Sequence, residues 1–188
     1  MRQNSLTKIS RQIVKCRKCR LWKTRKRAVP GEGSPHARIM LVGQAPGKTE
    51  DATGRPFVGR AGKLLTELLE SAGIRRKDVF ITSVIKCFPP GNRAPKKDEI
   101  AACKPHLEKQ IALIKPKIIV LLGNIAIKTV LGDVGKLDKI HGKPIRKESV
   151  ICIPNYHPAA AMRFPKIKRK MMVDFKILSS SYQKLYKR

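Results

Sequence analysis

The chain carries 42 Lys and Arg against 13 Asp and Glu over 188 residues, a formal charge of +29. That length suits a single domain with its own core, here spanning residues 1–188, and the charge attracts polyanions, with phosphate backbones the simplest target. No apolar run is long enough to cross a membrane, and Met1-Arg2-Gln3-Asn4-Ser5 lacks the apolar core of a secretory signal, so a cytosolic protein without a membrane partner is expected. A solvated, lysine-rich surface is the competing use of the charge.

In chain order, Leu6, Ile9, Ile13 and Val14 recur at helical spacing and predict an amphipathic first helix. It ends at Cys16-Arg17-Lys18-Cys19, a C-x-x-C pair set among Arg20, Lys23, Arg25, Lys26 and Arg27, with Trp22 between them. Such a basic run either faces phosphates or offsets the charge of thiolates around a metal. In a reducing compartment, Cys16, Cys19, Cys87 and Cys103 suggest a metal rather than disulfides. Their spacing alone leaves zinc and an iron–sulfur centre both open. Cys152, between Ile151 and Ile153, reads as a small core residue.

Pro30-Gly31-Glu32-Gly33-Ser34-Pro35 is a turn-rich connector. Ile39-Met40-Leu41-Val42 then predicts a buried strand, and Ala61-Gly62-Lys63-Leu64-Leu65 with Leu68, Leu69 and Ala72 predicts a helix. Between them run Gly43-Gln44-Ala45-Pro46-Gly47, Glu50-Asp51 and Gly54-Arg55-Pro56-Phe57-Val58-Gly59. This is either a plain crossover or a loop that brings backbone and one aromatic close to a ligand.

Val79–Ile85 predicts the second strand, followed by a loop, Lys86–Arg93, whose Pro89-Pro90-Gly91 bars a helix. Asp98 is expected to cap a helix carrying Ile100, Ala101, Cys103, Leu107, Ile111 and Ile114. Ile118–Leu122 predicts the third strand, Ile125–Leu131 a short helix, and Gly132–Lys147 an irregular stretch. Val150–Ile153 predicts the fourth strand, ending in Asn155-Tyr156-His157-Pro158. A basic helix, beginning near Ala159 or Lys166, is expected to run to the terminus. Four apolar strands alternating with helices argue for a three-layer α/β/α sandwich around a four-stranded parallel sheet. Gln44, Ser83, Gly123 and His157 each follow a strand, on the edge where open α/β sheets bind ligands.

At these loops the chain resembles the family 4 uracil-DNA glycosylases, the iron–sulfur type of thermophilic archaea and bacteria. The resemblance runs from Cys16 to the final helix. It is carried by Gly43–Gly47 with Glu50-Asp51 and Gly54–Gly59, by Thr82–Cys87 continuing through Pro89–Arg93, and by His157–Arg163. It implies a monofunctional glycosylase that flips uracil from single- or double-stranded DNA and hydrolyses the glycosidic bond, leaving an abasic site. It further implies a [4Fe–4S] cluster on Cys16, Cys19, Cys87 and Cys103, in a monomer working near the nucleoid.

By the same resemblance Phe57 stacks on the flipped base, His157 donates to a uracil carbonyl, and Glu50 stands beside uracil C5. Gly43, Ala45, Ser83 and Asn124 line the base site. Arg55, Lys86 and Arg93 meet DNA, and Met162, Arg163 and Phe164 form the wedge that enters the stack. Two positions depart from the family. Gln44 stands where a water-orienting Glu is usual, and Ser83 where an Asn reads the base. Those departures leave a second reading open, a DNA-binding relative whose activity is lost or directed to another deaminated base. His141, where the family often has Arg, is expected to be structural.

Overall fold

The computed structural model describes residues 2–186, with side-chain surroundings through residue 180. Residues 187 and 188, where the sequence places the end of the last helix, lie outside it. The four expected strands form and are parallel: β2 (Ile39–Gly43), β3 (Phe80–Ser83), β4 (Ile118–Leu122) and β6 (Val150–Asn155). Two short antiparallel strands extend the sheet at its edges, β1 (Glu32–Gly33) beside β3 and β5 (Ile145–Lys147) beside β6. The order is β1-β3-β2-β4-β6-β5, so the central sheet has six strands, four of them parallel.

Strand residues alternate between two cores, as a sheet buried on both faces requires. Ile39, Leu41, Ile118, Val120 and Ile153 face a layer made by α3 (Arg60–Ser71) and α8 (Pro165–Tyr186), which contribute Leu64, Leu65, Leu68, Leu69, Met171, Phe175 and Leu178. Met40, Val42, Ile119, Leu121 and Cys152 face the opposite layer. There α1 (Arg2–Val14), α4 (Lys97–Ile114) and α5 (Asn124–Leu131) supply Leu6, Leu107, Ile114, Ala126 and Ile127. The three-layer sandwich is thus confirmed, and Cys152 is core.

The differences lie at the connections. A short helix, α2 (Lys48–Thr53), forms inside the loop after β2. The stretch 132–147 contains α6 (Leu137–Ile140) and β5, and the final basic segment is two helices, α7 (Pro158–Ala161) and α8. Lys96, rather than Asp98, is the N-cap of α4, because the Glu99 carboxylate reaches back to accept its N–H at 2.8 Å.

Candidate active site

The parallel strands deliver their C-terminal ends to one edge, and β2 and β3 stay paired past it. Val84 N–H donates to the Gly43 carbonyl at 2.8 Å, and Ile85 N–H to that of Gln44 at 3.2 Å. Gln44 is thereby held beside Ser83, which is buried, while Gln44 and Ala45 are half-buried.

The glycine-rich loop folds back over this edge to deliver Phe57. Phe57 has φ +50, a left-handed conformation unusual for an aromatic, and it is buried. Gly62 makes that possible, since a Cβ there would lie 1.9 Å from the Phe57 carbonyl oxygen. Glu50 braces the same loop from inside. Its Oε1 accepts from the N–H groups of Val58 and Gly59 at 2.9 and 2.8 Å, and its Oε2 from Gly47 at 3.1 Å. Expected beside the base, this carboxylate has both oxygens engaged by its own loop. Asp51 ties the loop to the cysteine segment, both its oxygens lying 3.1 Å from Lys26 N–H.

The Phe57 ring lies across Gly43. A Cβ on Gly43 would come within 2.6 Å of the ring and 3.4 Å of Ser83 Oγ, so the missing side chain is what lets the ring pack here. His157 closes the far side, its ring centroid 5.7 Å from that of Phe57. His157 Nδ1 accepts the Ala159 N–H at 3.2 Å, which places the ring proton on Nε2. Burial pushes the imidazole down to about 4, against a smaller upward pull from Glu50, so at neutral pH it is an uncharged N–H donor. Gly123, at φ +90, lets the end of β4 approach this histidine closely, since a Cβ there would lie 3.3 Å from His157 Cβ. Asn124 begins α5 and is exposed.

Around this pocket Met162, Arg163 and Phe164 are exposed in the turn between α7 and α8, Met162 at 42% and Phe164 at 56%. Arg55 is exposed, with its guanidinium paired to Glu32 at 2.7 and 2.9 Å. Two expected DNA contacts are corrected. Lys86 is 1% exposed, its Nζ donating to Thr82 Oγ1, the Ser83 carbonyl and Gln110 Oε1 at 2.6, 2.7 and 2.8 Å. Burial pushes its ammonium down to about 7, while three oxygen acceptors call for three N–H donors and favour the charged form. Arg93 makes a bidentate pair with the enclosed Glu99 at 2.7 and 2.9 Å. Lys86 is enclosed and cannot meet a ligand, whereas Arg93 is committed to Glu99 with about a third of its side chain left exposed. His141 is structural, its Nδ1 lying 2.9 Å from Oδ2 of the buried Asp174.

Cys16, Cys19, Cys87 and Cys103 line one cavity with Trp22, Arg25 and His106. Arg25 Nη1 donates to Cys87 Sγ at 3.0 Å, and His106 Nε2 lies 3.3 Å from Cys16 Sγ. Burial raises the Cys19 and Cys87 thiols and takes Cys103 to about 11, so these sulfurs ionise only with a bound cation's help. Among the described residues, no three His, Cys, Asp or Glu side chains converge as a lone metal ion needs. Four thiols around one cavity, with the Arg25 N–H aimed at one sulfur and the His106 ring nitrogen beside another, fit a sulfur-ligated metal group.

The sequence profile of the Uracil DNA glycosylase superfamily matches residues 30–176, which include every loop of this pocket. The chain belongs to that superfamily. It is 48% identical over 182 residues to a type-4 uracil-DNA glycosylase of Sulfurisphaera tokodaii, covering 92% of this chain and 83% of that one. It is 44% identical over 180 residues to the type-4 enzyme of Archaeoglobus fulgidus, covering 92% and 90%. Against the type-4 enzyme of Thermotoga maritima it is 45% identical over 164 residues, covering 86% and 85%. The Gly43, Ser83 and His157 loops meet around the Phe57 ring. No described helix is long and apolar enough to cross a membrane.

Proposed function

We propose that this chain is a monofunctional uracil-DNA glycosylase that flips uracil from DNA and hydrolyses its N-glycosidic bond. The observation that carries this reading is the Phe57 ring lying over Gly43 beside Ser83, with the neutral His157 facing it. A flat base slides against the ring, Ser83 meets its polar edge, and His157 Nε2–H points a donor at a carbonyl oxygen. The C1′–N1 bond breaks with its electron pair going to uracil N1. Negative charge then grows on the base, where the His157 N–H stabilises it, and water adds to the sugar cation at C1′ and releases its proton to solvent. Gln44 orients that water without taking the proton, since a carboxamide accepts a hydrogen bond but is no base.

Met162, Arg163 and Phe164 fill the gap left by the flipped base, with two exposed apolar side chains and one cation suited to a stacked, phosphate-bordered opening. Cys16, Cys19, Cys87 and Cys103 would hold a [4Fe–4S] cluster, which ties the cysteine segment to β3 and α4 and takes no part in bond breaking. The +29 charge supports a monomer that stays near DNA in the cytoplasm. An abasic-site assay on a single-uracil oligonucleotide tests the activity, with hypoxanthine and xanthine strands beside it. Strand cleavage by alkali only after uracil excision is expected. Purified protein should be yellow-brown, with about four irons and four sulfides per chain, and a colourless protein with one zinc overturns the cluster.

A further inference from the structure

Uracil excision gives no part to a buried polar cluster behind Ser83, in the seam between β3 and α4. Lys86 Nζ meets three oxygens there, on Thr82, Ser83 and Gln110. Thr82 Oγ1 and Gln110 Nε2 in turn both reach the Pro30 carbonyl, at 3.0 and 2.7 Å. Thr82 and Gln110 are fully enclosed. An enclosed ammonium is costly, and an apolar side chain of similar volume fills such a space with less desolvation. What lysine alone adds is a fixed point of three donors.

One of those donors grips the backbone of the base-reading residue. The Ser83 carbonyl points to Lys86, while Ser83 Oγ stands on the pocket side, next to Gly43 and the Phe57 ring. The grip extends to the thiol cavity. Cys87 follows Lys86 directly, Val29 N–H donates to the Lys86 carbonyl at 2.8 Å, and Gln110 lies on the same helix as Cys103. We propose that Lys86 is a positioning residue for base recognition: by clamping the Ser83 carbonyl to Thr82 and Gln110, it sets where the Ser83 hydroxyl stands beside Gly43. This rests on the uracil-excising reading above.

The test uses the cluster-loaded protein and a coupling cycle: Lys86→Met, Ser83→Ala and the double variant, with Thr82→Val as a milder cut in the same clamp. The readouts are inhibition by free uracil, KM and kcat on a uracil oligonucleotide, affinity for uracil-free duplex and iron per chain. Lys86→Met is expected to weaken free-uracil binding and raise KM on the order of fivefold to tenfold, the worth of about one hydrogen bond. Duplex affinity, its salt dependence and iron content stay unchanged. In the Ser83→Ala background the Lys86→Met effect shrinks to under about twofold, because the hydroxyl being positioned is gone. Equal losses in both backgrounds overturn the proposal, and so does a fall in duplex affinity, which marks a phosphate contact. If Lys86→Met does not fold, Thr82→Val carries the same comparison. A wild-type protein that neither excises nor binds uracil sinks the functional reading and this proposal together, whereas an active wild type with uncoupled variants sinks the proposal alone.

Discussion

The rings of Phe57 and His157 face each other with centroids 5.7 Å apart and planes inclined by 31°. The aromatic that would stack on the base thus also dries the histidine that would bond it. Burial is the leading cause of the imidazole's low proton affinity, and the Ala159 N–H occupies the nitrogen that a second proton would need. Stacking and hydrogen-bond donation therefore share one desolvated wall.

The pH dependence follows from this wall. His157 falls from 6.5 to about 4, so it remains an N–H donor across the neutral range. Single-turnover excision should show no inflection near 6.5 attributable to His157. His157→Ala should lower the rate by about a hundredfold to a thousandfold, as loss of an oxyanion-type donor does. Stability carries the same sign: below 6.5 the unfolded chain takes up a proton that the folded one refuses. The stabilising term is complete above 6.5 and shrinks as pH drops towards 4. Denaturant titrations of His157→Ala should show a flatter pH slope in that window.

The parallel strands were legible because each opens on apolar, mostly β-branched residues, and their loop entries Gln44, Ser83, Gly123 and His157 do meet at one edge. The edge strands β1 and β5 are two and three residues long, too short to show a period. Lys86 and Arg93 are placed at DNA by the family resemblance alone, which carries no information on what each side chain pairs with. Their partners Gln110 and Glu99 lie on α4, and only the fold brings Gln110 to Lys86. Glu50's amide contacts depend on a loop path that glycines leave open, and sequence gives no handle on it.

Arg93 can be tested as a structural cation. Glu99 is 0% exposed and would be left with its Lys96 N–H as the remaining hydrogen-bond partner. Arg93→Met should lower the unfolding free energy by leaving the enclosed Glu99 carboxylate without its cation, and by less than a fully enclosed pair would, because Arg93 itself is partly solvated. Affinity for uracil-free duplex should not change. Chemical denaturation and duplex binding measured side by side check both halves.

Binding to undamaged duplex should weaken steeply with salt, with a log–log slope of several units. Arg163 and Lys166 are exposed beside the turn that carries Met162 and Phe164. Replacing either by Gln should reduce the slope by about one, the loss of one phosphate contact. Titrations at three or more salt concentrations give the slopes directly, and a flat response assigns the charge to solubility instead of DNA.

Under the proposed function, selectivity turns on Ser83. Its hydroxyl stands next to the Gly43 space and the Phe57 ring, so whatever it carries meets the polar edge of the flipped base. A hydroxyl makes one rotatable contact, whereas a carboxamide offers a donor and an acceptor in fixed relation, matching uracil N3–H and O4. Ser83→Asn should therefore raise kcat/KM on uracil several-fold, the worth of about 1 kcal/mol from one added neutral hydrogen bond. Gln44→Ala should cost less than His157→Ala, since water reaches the sugar cation unaided once the bond has opened. The opposite pattern belongs to a pocket shaped for another base. There Ser83→Asn slows the true substrate and brings nothing for uracil. Single-turnover rates on uracil and hypoxanthine oligonucleotides separate the two. A slower uracil reaction in Ser83→Asn, together with a His157→Ala rate equal to wild type, would remove this pocket as the site of uracil excision.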